Sequence, residues 1–253
     1  MSTAATDTPF ANKRVLITGG GTGIGADMAR AFANAGARVV IAGRTKHSLQ
    51  EVADGHPCIE YRLVDVTDPA SVETLFNTIE TLDIVIANAG AASSAPVRKT
   101  SLADWQRMLD VNLTGVFLTL QAGLAKLGKG GRLLAVASTA GLKGYPYVAP
   151  YCAAKHGVIG LVKALALETA RQGITVNALC PGFTETPLLD SSLATIRKKT
   201  GLSDEEARAQ LSATNPQGRF IQPADVSAAA LWLASPNAQA ITGQAIAIAG
   251  GEV

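Results

Sequence analysis

The chain has 253 residues, 47% of them hydrophobic and 17% charged, which is enough apolar side chain for one full core and too little charge for a disordered chain. Its 22 Lys and Arg against 20 Asp and Glu leave a formal charge of +2, and with 5% aromatic residues it offers neither a phosphate-tracking stripe nor a stacking platform, which argues against nucleic-acid binding. No apolar stretch approaches the ~18 residues that cross a bilayer. The start, MSTAATDTPFANKR, lacks the basic-then-apolar pattern of a leader, and the scattered Cys58, Cys152 and Cys180 form no C-x-x-C pair, so a cytoplasmic protein with reduced thiols is expected.

Short β-branched runs alternate with segments of 3.6-residue period along nearly the whole chain, the pattern of βαβ units on a parallel sheet. The first run, Arg14–Thr18, feeds the loop Thr18-Gly19-Gly20-Gly21-Thr22-Gly23-Ile24-Gly25 and then an amphipathic segment from Ala26 to Ala33. Glycines there allow a tight turn and let backbone amides approach a pyrophosphate, and the helix start adds partial positive charge. This is a dinucleotide-binding layout. The second run, Arg38–Ala42, ends in Gly43-Arg44-Thr45-Lys46, about 20 residues past the last glycine, where an acidic residue would take the adenosine ribose hydroxyls. No carboxylate stands there. Arg44, with Thr45 and Lys46 nearby, offers a planar donor fork to a 2′-phosphate, so NADP(H) is preferred; if the guanidinium only stacks on adenine, NAD(H) is accepted as well.

The third run, Cys58–Val64, ends in Asp65-Val66, whose carboxylate either meets the adenine amino group or caps the next loop. Asp68, Pro69 and the apolar spacing Val72, Leu75, Phe76, Ile79 then read as a capped helix. The fourth run, Asp83–Ala87, is followed by Asn88-Ala89-Gly90, small residues that either let the chain pass against a cofactor or make a plain turn. Runs at Arg132–Ala137, Thr175–Cys180 and Gln244–Ala249 complete seven strands, and Pro223 opens a helix with Val226, Ala229, Ala230 and Leu233 on one face. The expected fold is α/β: a Rossmann-type doubly wound, seven-stranded parallel sheet with helices on both faces, one domain over residues 1–253. From Phe183 to about Phe220 the rhythm breaks into polar helical turns with a capping-box pattern at Ser203–Glu206, and a segment of this length is expected to be a substrate lid.

The chemistry gathers in the second half. Ser138 ends the fifth strand, and Tyr151 and Lys155 stand four apart, on one helix face, so the ammonium sits near the phenol and is expected to pull its pKa below the usual ~10. Tyr151 is then a general acid/base, and the Ser138 hydroxyl stabilises charge developing on a carbonyl oxygen. The glycine loop, Asn88-Ala89-Gly90, Asn112, Ser138, Tyr151, Lys155 and Pro181-Gly182, in this order, resemble the short-chain dehydrogenase/reductase family, in its branch of about 250 residues, from about Lys13 to Gly251.

The resemblance implies roles residue by residue. Gly19, Gly23 and Gly25 match the cofactor loop, Asp65 the acid that meets adenine, and Asn112 the asparagine that bends its helix and holds a relay water. Ser138 matches the carbonyl-orienting serine, Tyr151 the proton donor or acceptor, and Lys155 the lysine on the nicotinamide ribose; Pro181-Gly182 with Thr184 and Thr186 matches the segment beside the nicotinamide amide. Relatives are mostly homotetramers, built through the helices corresponding to residues 102–127 and 150–171 and the C-terminal strand. Ala87 before Asn88 departs from the usual Asn-Asn-Ala-Gly.

The expected activity is an NADP(H)-dependent interconversion of a ketone and a secondary alcohol, with an NAD-dependent secondary-alcohol dehydrogenase as the nearest alternative and a non-catalytic dinucleotide sensor as the alternative of different class. His47, His56 and His156 form no metal-site spacing, a Gly-x-Ser-x-Gly elbow is absent, and Tyr151-x3-Lys155 differs from the Tyr-x6-Lys of related enoyl reductases. Leu142, Tyr145, Tyr147, Phe183 and Leu188 would line a mainly apolar substrate pocket, which suits a medium-sized apolar carbonyl compound such as a 3-oxoacyl thioester. Arg197-Lys198-Lys199 either steer a phosphate-bearing carrier or form a solvated helix face.

Overall fold

In the computed structural model residues 8–253 are described, so the reading of the first seven residues as no leader lies outside the described residues. The strands are β1 (Arg14–Thr18), β2 (Arg38–Gly43), β3 (Ile59–Leu63), β4 (Leu82–Ala87), β5 (Leu127–Val136), β6 (Thr175–Pro181) and β7 (Ala245–Ile248). The helices are α1 (Gly23–Asn34), α2 (Lys46–Asp54), α3 (Pro69–Asn77), α4 (Leu102–Leu109), α5 (Gly115–Leu124), α6 (Ala149–Thr169), α7 (Pro187–Thr200), α8 (Asp204–Ser212) and α9 (Pro223–Ala234). Every strand pair is parallel and the sheet order is β3-β2-β1-β4-β5-β6-β7.

Side chains alternate across the pleat, and this alternation splits the core in two. Val15, Ile17, Ile41, Ile86 and Leu179 pack with Met28 and Phe32 of α1 and Val226 and Leu233 of α9. Leu16, Val85, Leu133 and Val176 pack on the other face with Leu75 of α3, Leu120 of α5 and Val158 and Val162 of α6. Asp68 caps α3 as its sequence predicts, accepting a hydrogen bond from the Ala70 amide at 3.0 Å. β5 starts five residues before the expected Arg132, because Leu127 pairs with Leu82 ahead of a register shift in β4.

Strand order reverses between β1 and β4, which opens a crevice at the carboxyl ends of the strands. Gly19, Arg44, Asp65, Asn88, Ser138 and Gly182 all follow such ends. Residues 183–220 hold α7 and α8 around a small core of their own, Leu189, Leu193, Ala207 and Phe220. The capping box closes as expected: Ser203 Oγ accepts from the Glu206 amide and Glu206 accepts from the Ser203 amide.

Candidate active site

The glycine loop bends at Gly19 and Gly23, whose φ values of +67° and +53° lie in the left-handed region that favours glycine. Thr22, which lines the crevice, precedes α1 in extended conformation, and its side chain caps none of the first amides of α1. Asn88 is a strut: its amide donates to the carbonyls of Thr18 at 2.9 Å and Gly19 at 3.1 Å, while the Asn88 and Ala89 amides donate to Thr18 Oγ1. The expected passage of Asn88-Ala89-Gly90 against a cofactor therefore comes with a structural duty that local sequence does not announce.

Beside this loop lies a cleft of about 210 Å³ whose walls include Gly19, Gly21, Thr22, Arg44, Thr45, Asp65, Val66, Ala89 and Gly90. Ile24 does not line it but packs against the core under α1. Ser48, Leu49, Val64 and Val111 line it as well and were not foreseen; Val111 adjoins Asn112, the one signal that could have found it. Arg44 is exposed at the rim. Asp65 Oδ1 accepts from the Thr67 amide at 3.0 Å and its hydroxyl at 2.7 Å, so of the two roles foreseen for this acid the loop cap is in place. These bonds, and the Arg44 charge, hold the Asp65 carboxyl below its ordinary range and keep it ionised.

Ser138, Tyr151, Lys155 and Asn112 gather next to the cleft. Asn112 sits in a π-helical turn, Asp110–Thr114, between α4 and α5; it is fully buried, and it donates to the carbonyls of Ala91 at 2.9 Å and Met108 at 3.1 Å. A Cβ built on Gly90 would lie 2.9 Å from Asn112 Oδ1 and 3.8 Å from Lys155 Nζ, which shows how closely these three meet. Lys155 is buried, donates to the Val136 carbonyl at 2.8 Å, and its Nζ lies 5.5 Å from the Tyr151 ring centroid.

The electrostatics correct one expectation. Burial pushes the Tyr151 phenol up to about 12, against a lowering pull from Ser138, and no lowering by Lys155 is felt. The reason is that burial brings the lysine's own pKa down to about 8, so it has lost its charge before the phenol titrates. A buried amine with one partner is an expensive group, of the sort that gathers where chemistry is done.

Of the residues expected to line a substrate pocket, Leu142, Tyr147 and Leu188 are exposed, Tyr147 at 63% and with a left-handed φ of +68°. The Phe183 ring meets Tyr145 edge-on at 6.0 Å. The Tyr145 hydroxyl is taken up by Thr139 and Glu252. Pro181 is buried at the end of β6, Gly182 donates its amide to Ile248, and Thr184 Oγ1 donates to the Gly182 carbonyl. Thr186 lies over Gly23, 3.0 Å from where a Cβ would stand, so the start of the 183–220 segment meets the glycine loop. Two cations of the basic run have partners within the protein, Arg197 on Asp204 at 2.7 Å and Lys199 on the Ser94 carbonyl at 2.9 Å.

A family profile described as enoyl-(acyl carrier protein) reductase matches residues 19–252. The chain is 37% identical over 249 residues to a protein of Streptomyces coelicolor that carries the name of a ketoacyl reductase, covering 93% of this chain and 95% of that one. Among solved structures, a Phe-to-Trp variant of actinorhodin polyketide ketoreductase with NADPH superposes with a TM-score of 0.89 at 35% identity, covering 95% of this chain and 97% of the other. Levodione reductase superposes with a TM-score of 0.90 at 29% identity, over 96% and 98%. The family profile spans most of the chain, the parallel sheet superposes on these reductases over nearly the full length, and the chain belongs to the short-chain dehydrogenase/reductase family of oxidoreductases.

Proposed function

We propose that the protein is an NADP(H)-dependent ketoreductase that interconverts a medium-sized apolar ketone and its secondary alcohol, with a 3-oxoacyl thioester as the leading special case. The observation that carries the reading is the meeting of Ser138, Tyr151, Lys155 and Asn112 beside a cleft walled by the glycine loop and Arg44. The residues present fit such a cofactor: uncapped amides at the start of α1 suit a pyrophosphate, small residues Ala89 and Gly90 leave room on the wall, and an exposed guanidinium suits a 2′-phosphate. When bound, the nicotinamide gives or takes hydride at the substrate carbon.

The side chains then handle the oxygen. Tyr151, with its pKa near 12, is fully protonated at neutral pH and gives its proton as charge gathers on the carbonyl oxygen. Ser138 donates a second hydrogen bond to the same oxygen. Lys155, with its pKa near 8, is mostly cationic at neutral pH and favours the tyrosinate left after transfer. Thr184 and Thr186 would flank the nicotinamide amide with Pro181 and Gly182, and residues 183–220 would act as a lid over the substrate. The 3-oxoacyl reading is supported by the names of similar proteins and by the apolar Leu142, Phe183 and Leu188; enoyl reduction is disfavoured by the Tyr151-x3-Lys155 spacing.

The test is a paired fluorescence titration with NADPH and NADH, followed by a turnover screen of ketones, sugars and polyols. Tighter NADPH binding is expected, with Arg44→Ala weakening it by about 10-fold or more and leaving NADH within about threefold, from the ~1.5–3 kcal/mol of a charged hydrogen bond. Equal binding of the two in the wild type would reject Arg44 as a phosphate reader and favour the NAD-dependent alcohol dehydrogenase. Turnover of sugars and polyols alone would reject the apolar ketone.

A further inference from the structure

The end of the chain brings a carboxylate to the site from more than a hundred residues away. After β7, Gly250 and Gly251 both take left-handed φ values, +61° and +92°, and turn the chain back over the end of β6. Gly250 packs against Asn215 so closely that a Cβ would stand 2.1 Å from its Oδ1. The turn brings Glu252 Oε2 to 3.2 Å from where a Cβ on Gly182 would lie. The Glu252 side chain is 2% exposed.

A carboxylate so buried must be compensated, and the compensation here points toward Ser138. Lys143 Nζ lies 3.2 Å from Glu252 Oε1 and donates to the Glu252 backbone carbonyl at 3.3 Å. The Tyr145 hydroxyl donates to the same Oε1 at 2.5 Å and lies 2.7 Å from Thr139 Oγ1, whose own hydrogen can be donated back. Burial and the carboxylate push the Tyr145 phenol far above its ordinary range, so it stays a donor. Thr139 opens the single 3-10 turn Thr139–Gly141, and that turn holds Ser138: Ser138 Oγ accepts from the Ala140 amide at 3.1 Å. The orientation of the serine thus depends on a turn pinned by Thr139, Tyr145 and Glu252.

We propose that Glu252 is a positioning residue: through Tyr145 and Thr139 its carboxylate fixes the turn that aims the Ser138 hydroxyl at the substrate oxygen. The proposal deepens the ketoreductase reading above and rests on it. Glu252 acts through Tyr145 and is not a catalytic group. A hydrogen-bonded chain of this kind matters because a small misplacement of an oriented group costs rate far more than it costs stability.

The experiment compares the full-length wild type with Glu252→Ala, Glu252→Gln and Tyr145→Phe by two readouts: hydrogen exchange of peptides covering residues 138–147, and steady-state kinetics with NADPH and the best ketone of the screen. Expected for Glu252→Ala and Tyr145→Phe is faster exchange confined to 138–147 and a kcat lower by about 10-fold, with NADPH affinity within about twofold. Glu252→Gln keeps an acceptor for Tyr145 and should recover most of kcat. Unchanged exchange and kcat in Glu252→Ala would overturn the proposal, as would exchange raised throughout the chain or a Gln variant no better than Ala. If Glu252→Ala does not fold, Tyr145→Phe carries the same prediction with the loss of one hydroxyl. A wild type that reduces no ketone would instead reject the proposed function, and exchange at 138–147 would then decide the clamp by itself.

Discussion

Two glycine-to-alanine substitutions should move stability in opposite directions, though both glycines lie in helices. At Gly160 in α6 an added Cβ meets nothing within 4 Å, so alanine brings only its better helix propensity, about 0.5–1 kcal/mol of stabilisation. At Gly25 in α1 the same Cβ would stand 2.3 Å from the Gly19 carbonyl oxygen and 2.5 Å from Asn88 Nδ2, distances real Cβ atoms essentially never show. Neither neighbour can yield cheaply, because Gly19 is bent in the left-handed region and Asn88 is held by the Thr18 and Gly19 carbonyls. Overpacking of this kind costs about 1–3 kcal/mol, which outweighs the propensity gain. Since both share the propensity gain, Gly25→Ala should lie about 1–3 kcal/mol below Gly160→Ala, or roughly 2–12 °C in Tm for a chain of this size. Thermal unfolding of the three proteins checks the stability order, and NADPH titration should find affinity lost only in Gly25→Ala. A Gly25→Ala protein as stable as Gly160→Ala would refute the claim that the loop and the Asn88 strut are rigidly packed.

Tyr151→Phe should lower turnover by about 10²–10⁴-fold, the range for losing a general acid, while leaving NADPH affinity within about threefold; retained turnover in the ketone assay would show that the proton comes from elsewhere. Alkaline stability follows from four shifted groups. Burial raises the Cys180 thiol to about 11 against 9 unfolded and raises the Tyr145 phenol as well, so their contributions are lost as pH climbs above 9 and above 10 respectively. Tyr151 is raised to about 12 in the folded protein against 10 unfolded, so its contribution is whole below pH 10 and is lost as pH climbs toward 12. Lys155 is lowered to about 8 against 10.5 unfolded, so the cost of burying its charge stands at neutral pH and is relieved between pH 8 and 10.5. Urea midpoints should then rise from pH 8 to about 9, level off where the Lys155 gain and the Cys180 loss oppose each other, and fall beyond pH 10, and from pH 9.5 to 11.5 Tyr151→Phe should lose about 1–2 kcal/mol less than wild type. An equal loss in both proteins would show that Tyr151 does not titrate late.

Much of the fold was legible because its signals are local. Six of the seven strands lie within a residue of the expected bounds at either end, since short apolar runs between glycine and polar turns define them without help from partners. β5 was the exception: Leu127–Gly131 reads as Leu-Gly-Lys-Gly-Gly, which carries little strand propensity, and its entry into the sheet rests on pairing with Leu82. At the site, the residues were legible from their order and spacing, while their duties were not. Asn88 braces the glycine loop across 70 residues, Tyr145 spends its hydroxyl on a glutamate 107 residues away, and Lys199 reaches back to Ser94.

By its own pattern the chain specified seven parallel strands, a glycine loop feeding α1, an arginine where an acid would serve NAD, and a serine, tyrosine and lysine at family spacing. These follow from periodicity, backbone freedom and residue type, which act over a few neighbours at a time. Packing alone determined the sign of the Tyr151 shift, the partners of Arg197 and Lys199 and the approach of Glu252 to Gly182. Desolvation and long-range hydrogen bonds depend on which distant surfaces exclude water together, and that is a property of the folded arrangement of α6, β5, β6 and the C-terminal turn rather than of any stretch of sequence.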